Sequence, residues 1–463
     1  MRQHPHLLIS MLLCCAACLM AAEQLEETWY GGTIAGSRSL SAHGLLQRQD
    51  DGGYRYTFEL EALITRKLGL LGSELHLQQH RRFDENPDGL LQAFHFEDAS
   101  TGSHVIATGS VHADHVTAEI IRAGERSQQR LELPPGIRLY GQHGSQRLFA
   151  SMATDLQVGE ELTFHSLELM TGRVLLIESR AVLKQRWPDG RLGLELHMDL
   201  LPGMPVRSVV DADGTLLSMR MRMGPISMTL QQSDGPQELQ AARIDALALI
   251  GASGGMPGRD GVNRYRLPIG VQAHQGGFQS QHGRVVQVRD LARPEPLATP
   301  ADWLQPAPNI ETGHAELQAW VDDLLAEAKD VSVAEQAERL RVAVRSHIVH
   351  KDLSRADASA IETYRSRRGD CTEHANLLVA LLRSAGIPAR VEYGVVYSPS
   401  LGGWGGHAWA AAHDGSRWLL MDAAYPGIPR SHYIGLGLAD KDLAACIAGL
   451  SHLLGGDIET LKD

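Results

Sequence analysis

Residues 364–397 read Y-R-S-R-R-G-D-C-T-E-H-A-N-L-L-V-A-L-L-R-S-A-G-I-P-A-R-V-E-Y-G-V-V-Y, and the fold of the C-terminal part turns on this stretch. Cys371, Ala375, Leu378 and Leu382 share one face at helical spacing, widened by Leu377 and Leu381. Asp370 is placed to cap the start, and Gly386 with Pro388 just beyond is placed to stop the helix. Cys371 therefore falls in the first turn. Unpaired backbone N–H groups and the positive end of the helix dipole there favour a thiolate, and the same N–H groups suit a developing oxyanion.

Strands follow. Ala389 to Tyr397 is rich in Val and Tyr; His407 opens a second run, H-A-W-A-A-A, after a G-G-W-G-G turn; Arg417 to Met421 forms a third that ends at Asp422. A histidine on one strand and an aspartate at the end of its neighbour can sit side by side. The imidazole would take the thiol proton and the carboxylate would hold the imidazole in one tautomer.

The pattern R-R-G-D-C-x-x-x-A-x-L-x-x-x-L-L-R-x-x-G-I-P-A-R, with a later G-H-A-W and a W-x-x-x-D, resembles the core of the transglutaminase-like superfamily, densely so from about Ala334 to Tyr425. The resemblance implies a papain-like fold with a Cys-His-Asp triad. Cys371 matches the nucleophile, His407 the base and Asp422 the orienting carboxylate. The sequence departs from many members in having Ala423 and Ala424 after the aspartate, where a proline is common. A side-chain oxyanion donor has no matched position; Trp404 and Tyr364 are the candidates. His374, one turn after Cys371, is a candidate for the rim of the site or for a place just behind it, and Trp409 is placed to shield the His–Asp pair, to line an acyl cleft or to fill a plain core position.

The whole chain has 463 residues, enough for two or three cores. Its 43 Lys+Arg against 55 Asp+Glu give −12 with no basic block, which argues against a nucleic-acid partner. Residues 1–22 read as a signal peptide, with Arg2, an apolar run and Met20-Ala21-Ala22. Within it, Cys15-Ala16-Ala17-Cys18 resembles a lipobox that would tie the chain to a membrane through Cys18. The expected location is extracytoplasmic, periplasmic or secreted. Of five cysteines, Cys371 and Cys446 remain in a mature chain, with Cys18 if lipidated, which is no disulfide framework. Cys446 lies in an apolar helical pattern and reads as a buried small hydrophobe.

Residues 23–235 switch to period two, as in Tyr54-Arg-Tyr-Thr-Phe-Glu-Leu-Glu-Ala-Leu-Ile, and predict an antiparallel β domain without catalytic residues. Asp211-Ala-Asp213-Gly214 reads as a hairpin turn, since the later ligands of a calcium loop are missing. Residues 236–310 hold many Gly and Pro and read as a connector with short strands. Residues 311–463 then form the catalytic domain, opening with helices over Ala315 to Ala328 and after Ser332, where Ser332 and Glu335 make a capping box. The fold class expected is thus multidomain: an antiparallel β domain followed by an α+β papain-like, transglutaminase-like domain. Cys371-x-x-His374 and His413 fit no familiar metal spacing, and no cofactor is expected.

Two functions follow. In the first, the chain is a thiol acyl-transfer enzyme on peptide or protein substrates, with water as acceptor in a peptidase or amidase and an amine as acceptor in a transamidase. The resemblance favours hydrolysis, because extracytoplasmic bacterial members are more often peptidases. In the second, the β domain binds a cell-surface partner and the triad is a relic.

Overall fold

The computed structural model describes residues 23–461 apart from 69–70, 101, 171, 200–203, 224–225, 246–250, 259–260, 329, 351–357, 400–401, 426, 439–451 and 454–455. The expected signal segment with Cys18, and Cys446, lie outside the described residues.

The N-terminal half is a long antiparallel meander. Its strands are β1 (Glu23–Ile34), β2 (Ser37–Arg48), β3 (Tyr54–Leu68), β4 (Leu71–Glu85), β5 (Leu91–Ser100), β6 (Ser103–Val111), β7 (His115–Arg122) and β8 (Glu125–Glu132), then helix α1 (Gln142–Asp155), then β9 (Glu161–Met170), β10 (Arg173–Arg186), β11 (Leu192–Met198), β12 (Val206–Val210), β13 (Leu216–Met223) and β14 (Ile226–Ser233). The spatial order is β8 through β1, then β14 back to β9, with β15 (Ala242–Asp245) parallel to β3. Alternation dictates this. In β2, Leu40, Ala42 and Leu46 are buried while Ser41, His43 and Leu45 between them are only half-buried. The sheet curls until its two ends share one core: Phe94, Phe96, Ala107 and Val116 of β5–β7 pack with Leu167, Leu169 and Val174 of β9 and β10. Gln129 of β8 seals the seam with paired bonds to the Val174 backbone, at 2.7 and 2.9 Å. Helix α1 packs Phe149 and Met152 on the apolar side of β9–β13. Its first amides, at His143 and Gly144, donate to the buried Glu85 carboxylate at 2.9 Å each. Asp211 and Asp213 serve the β12–β13 turn by accepting from neighbouring backbone N–H groups.

The second sheet comprises β16 (Gly251–Gly254), β17 (Val262–Arg266), β18 (Gln279–His282), β19 (Val285–Arg289), β20 (Ala389–Ser398), β21 (Gly403–His413), β22 (Trp418–Met421), β23 (Tyr433–Leu438) and β24 (Asp457–Leu461). Its order is β18-β19-β17-β24-β16-β21-β20-β23, with β22 beside β21. The stretch read as a connector, 236–310, is thus divided: β15 joins the first sheet and β16–β19 join the second. The pairings responsible, such as Arg264 with Leu461 and Ala252 with Trp404, span about 150 to 200 residues, and local composition carries no trace of them.

Four helices pack on the second sheet: α2 (Ala315–Leu324), α3 (Val333–His347), α4 (Ala360–Ser366) and α5 (Cys371–Ser384). Every residue of α5 from Glu373 to Arg383 is buried, so this is a central helix rather than an amphipathic one. Gly386, at φ +76°, ends it. No helix among the described residues is long and apolar enough to cross a membrane.

The two halves meet at the β7–β8 turn, where Ala123 and Gly124 take φ of 52° and 82°. Arg122 bonds Glu362 of α4 through Nε at 3.1 Å and Nη2 at 3.0 Å, and Asn309 through Nη1. Arg365 returns a bond to the Ala123 carbonyl at 3.0 Å.

Candidate active site

Cys371 is held where the first turn of α5 meets β21. Asp370 caps the helix by accepting from the Thr372 N–H at 2.9 Å, and Glu373 reaches back to the Asp370 N–H at 2.9 Å. Gly369 precedes them because a Cβ there would stand 2.4 Å from the Glu373 Cβ. The thiol is partly open to solvent yet ringed by protein, and the backbone N–H of Ala408 is directed at it. Beside that N–H the sheet is open on one edge, because β22 pairs β21 only from Ala410 to His413.

His407 and Asp422 form a buried pair, with Nε2 to Oδ2 at 2.8 Å. Asp422 is fixed by four donors. Oδ2 accepts from His407 and from the Tyr433 hydroxyl, also at 2.8 Å; Oδ1 accepts from the Ala424 and Tyr425 backbones at 2.8 and 2.9 Å. Burial alone would raise it, but the His407 ring and these bonds outweigh that and hold the Asp422 carboxyl down at about 2. An ionised carboxylate only accepts, so Nε2 of His407 carries its proton and Nδ1 is the nitrogen left for a thiol. The Tyr425 ring lies 5.0 Å from the His407 ring and is within electrostatic reach of both Cys371 and Asp422.

The charge state of the thiol differs from the sequence expectation. Burial first, then the Asp370, Glu373 and Asp422 carboxyls, push the Cys371 pKa well up, and the Ala408 N–H only partly offsets them. The helix-dipole benefit is worth about 1 kcal/mol or less, and desolvation of a largely buried thiolate outweighs it.

The other sequence candidates are distributed as follows. Trp409 is buried; its ring stacks 5.9 Å from His407 and its indole N–H donates to Glu392 at 2.8 Å. It walls the His–Asp pair rather than lining an open cleft. Glu392 is itself buried between Arg390 and Arg430 at 2.6 and 3.2 Å, which hold its carboxyl at about 2 against the cost of burial. His374 is buried, with Nδ1 2.5 Å from the Asp370 carbonyl, so of its two expected places it takes the one behind the site, as an anchor of the first turn, and not the rim. Trp404 lies four residues along β21 from Ala408, roughly 13 Å at strand rise, and packs among Tyr265, Tyr397 and Leu267. Tyr364 stacks on His347 at 4.9 Å and meets Trp320 at a tilt at 5.1 Å, the three rings closing a cluster. His413 uses both ring nitrogens, on the Glu295 carbonyl and the Gly415 N–H, and no three His, Cys, Asp or Glu side chains among the described residues gather as a metal site.

Sequence reasoning missed Tyr433, Tyr425 and Arg341, whose Nη1 bonds the Asp422 carbonyl at 3.2 Å. Tyr425 sits at the end of the matched stretch and could have been weighed on that ground. Tyr433 and Arg341 carry no local signal.

Residues 318–423 match the family described as the transglutaminase-like superfamily, and the chain carries a domain of that superfamily there. Three solved structures are similar. A beta-barrel-like protein of domain of unknown function DUF1849 from Brucella abortus is 13% identical over 47% of this chain and 100% of its own, with a TM-score of 0.35. A "putative cysteine protease" from Cytophaga hutchinsonii is 15% identical over 40% of this chain and 82% of its own, with a TM-score of 0.30. A "putative protease" from Parabacteroides distasonis is 11% identical over 81% of this chain and 64% of its own, with a TM-score of 0.21. None is similar enough in overall shape to bear on what this chain does. No curated protein matches it.

Proposed function

We propose, from a transglutaminase-like domain in which a buried His407–Asp422 pair lies near the Cys371 thiol, that this chain is a thiol acyl-transfer enzyme acting outside the cytoplasm on peptide or amide bonds. The observation that supports it most is the buried His407–Asp422 bond of 2.8 Å beside a thiol at a helix start.

In this reading Nδ1 of His407 takes the Cys371 proton as Sγ attacks the substrate carbonyl carbon. The oxyanion is met by the Cys371 backbone N–H, since the Asp370 cap takes those of Thr372 and Glu373. Collapse breaks the C–N bond, and the imidazolium gives its proton to the leaving amine. The thioester that remains is attacked by water, His407 takes the water proton, and the acid product leaves as the thiol is restored. Asp422 stays ionised throughout and holds the imidazole. Water is the favoured acceptor, following the sequence resemblance.

The test is alkylation of Cys371 by iodoacetamide, followed by mass spectrometry, in the wild type and in His407→Ala. The wild type is expected to react at least ~10-fold faster near neutral pH, because the histidine is the base. Equal rates in the two proteins would remove the Cys–His pair and the function with it.

A further inference from the structure

We propose that Tyr433 is a positioning residue of this site: its phenol and the His407 imidazole share one oxygen of Asp422, and the phenol sets how firmly that carboxylate holds the imidazole. This rests on the acyl-transfer reading above.

The geometry is specific. Tyr433 Oη and His407 Nε2 each lie 2.8 Å from Oδ2, while Oδ1 is filled by two backbone N–H groups. A carboxylate offers about four lone-pair sites, so all are taken and the group cannot swing. Its remaining freedom is how charge is divided between the two donors on Oδ2.

Tyr433 is also held from behind, independently of Asp422. It is the first residue of β23, fully buried, and pairs with Val396 of β20. Its ring meets Trp409 edge-on at 5.1 Å. Its carbonyl accepts from Arg430 Nη1 at 2.9 Å, and Arg430 is tied to Glu392, which also takes the Trp409 indole N–H. Trp409 and His407 share one face of β21, two residues apart. One buried ion network therefore fixes both the strand that carries the base and the phenol that competes with it. Burial and the adjacent Asp422 charge raise the Tyr433 pKa, so the hydroxyl stays a donor across the working range.

Two donors on one oxygen compete. Removing the phenol leaves the imidazole as the sole side-chain donor to Oδ2, and the charged imidazolium gains most from the oxygen's freed density. Tyr433→Phe keeps the ring and deletes only the hydroxyl.

The experiment is the pH profile of iodoacetamide alkylation at Cys371 in the full chain, for wild type, His407→Ala, Tyr433→Phe and a chain carrying difluorotyrosine at position 433. The inflection to follow is the one that His407→Ala abolishes. In Tyr433→Phe it moves up by roughly 0.5 to 1 pH unit. In the difluorotyrosine chain, a stronger donor, it moves down. A purely structural role changes the level of reactivity or the thermal midpoint but leaves that inflection in place. An unmoved inflection in a folded Tyr433→Phe overturns the proposal; should that variant not fold, an unmoved inflection in the fluorinated chain does so. If the wild type has no inflection that His407→Ala removes, the acyl-transfer reading itself fails and takes this proposal with it.

Discussion

Arg122→Met is expected to loosen the β domain from the catalytic domain. The Arg122 side chain is 11% exposed and its partner Glu362 is 9% exposed, so the pair is nearly dry. Removing one member of a buried pair costs about 3–5 kcal/mol, because the survivor is left charged and unpaired. Two features reduce that here. Glu362 keeps the Ser359 N–H at 2.8 Å, and a hollow of about 500 Å³ lined by Ser103, Gly124 and Glu362 can admit water beside the carboxylate. An expected loss of ~2–3 kcal/mol follows. Glu362→Gln should cost a similar amount, and the double variant should cost less than the two singles added, with a coupling of ~1–2 kcal/mol. The assay is urea unfolding followed by far-UV circular dichroism, reading whether one transition separates into two as the halves uncouple. Single-variant losses below ~0.5 kcal/mol with additive behaviour would mean that the hairpin tip is solvated in solution and that the two halves touch without binding.

Glu392→Gln removes the charge between two buried guanidinium groups, and the loss should be about 3 kcal/mol or more. That lowers the thermal midpoint of the catalytic domain by roughly 6–12 °C; a loss under about 2 °C would show that Arg390 and Arg430 find other partners. Glu85 gives a pH signature of known sign. Its carboxyl is pushed up to about 7, chiefly by burial. As pH rises above its ordinary range the unfolded chain ionises first, so stability present at pH ~4 falls by on the order of 3 kcal/mol by pH ~7. Glu85→Gln should flatten that fall in denaturant midpoints measured from pH 4 to 8, and an unchanged slope would refute the assignment.

How much of this was legible in the sequence depended on the range of the interaction. Asp370, Cys371 and Gly386 announce a capped helix within sixteen residues, and both the capping box and the left-handed end are found. His407 and Asp422 were readable because an antiparallel neighbour and a short turn bring residues fifteen apart together. The alternation of β2 and β3 was readable for the same local reason. The destination of β16 and β17 was not, since β16 pairs with β21 and β24 and β17 with β24, far along the chain, and β18 and β19 enter the second sheet through β17. Nor was Tyr433: eleven residues from Asp422 and on a strand beyond an irregular loop, it reaches the carboxylate only through the pairing of β23 with β20. Likewise Trp404, two residues from the G-H-A-W motif and conspicuous for that, is aimed by strand alternation into a different core.

The thiol shows where local rules mislead even when the placement is right. A helix start favours a thiolate, but this one is built with carboxyls: Asp370 as cap and Glu373 as its return partner. Burial together with the Asp370 charge pushes the Glu373 pKa well up. Asp422 adds little more, because four donors absorb its charge. Desolvation is the main barrier to the thiolate. The site rests as a neutral thiol beside an imidazole whose Nε2 proton is fixed by Asp422. In the proposed reaction, proton transfer to Nδ1 accompanies attack by sulfur, whether on an alkylating probe or on a substrate carbonyl, and with a carbonyl the charge passes on to the oxyanion.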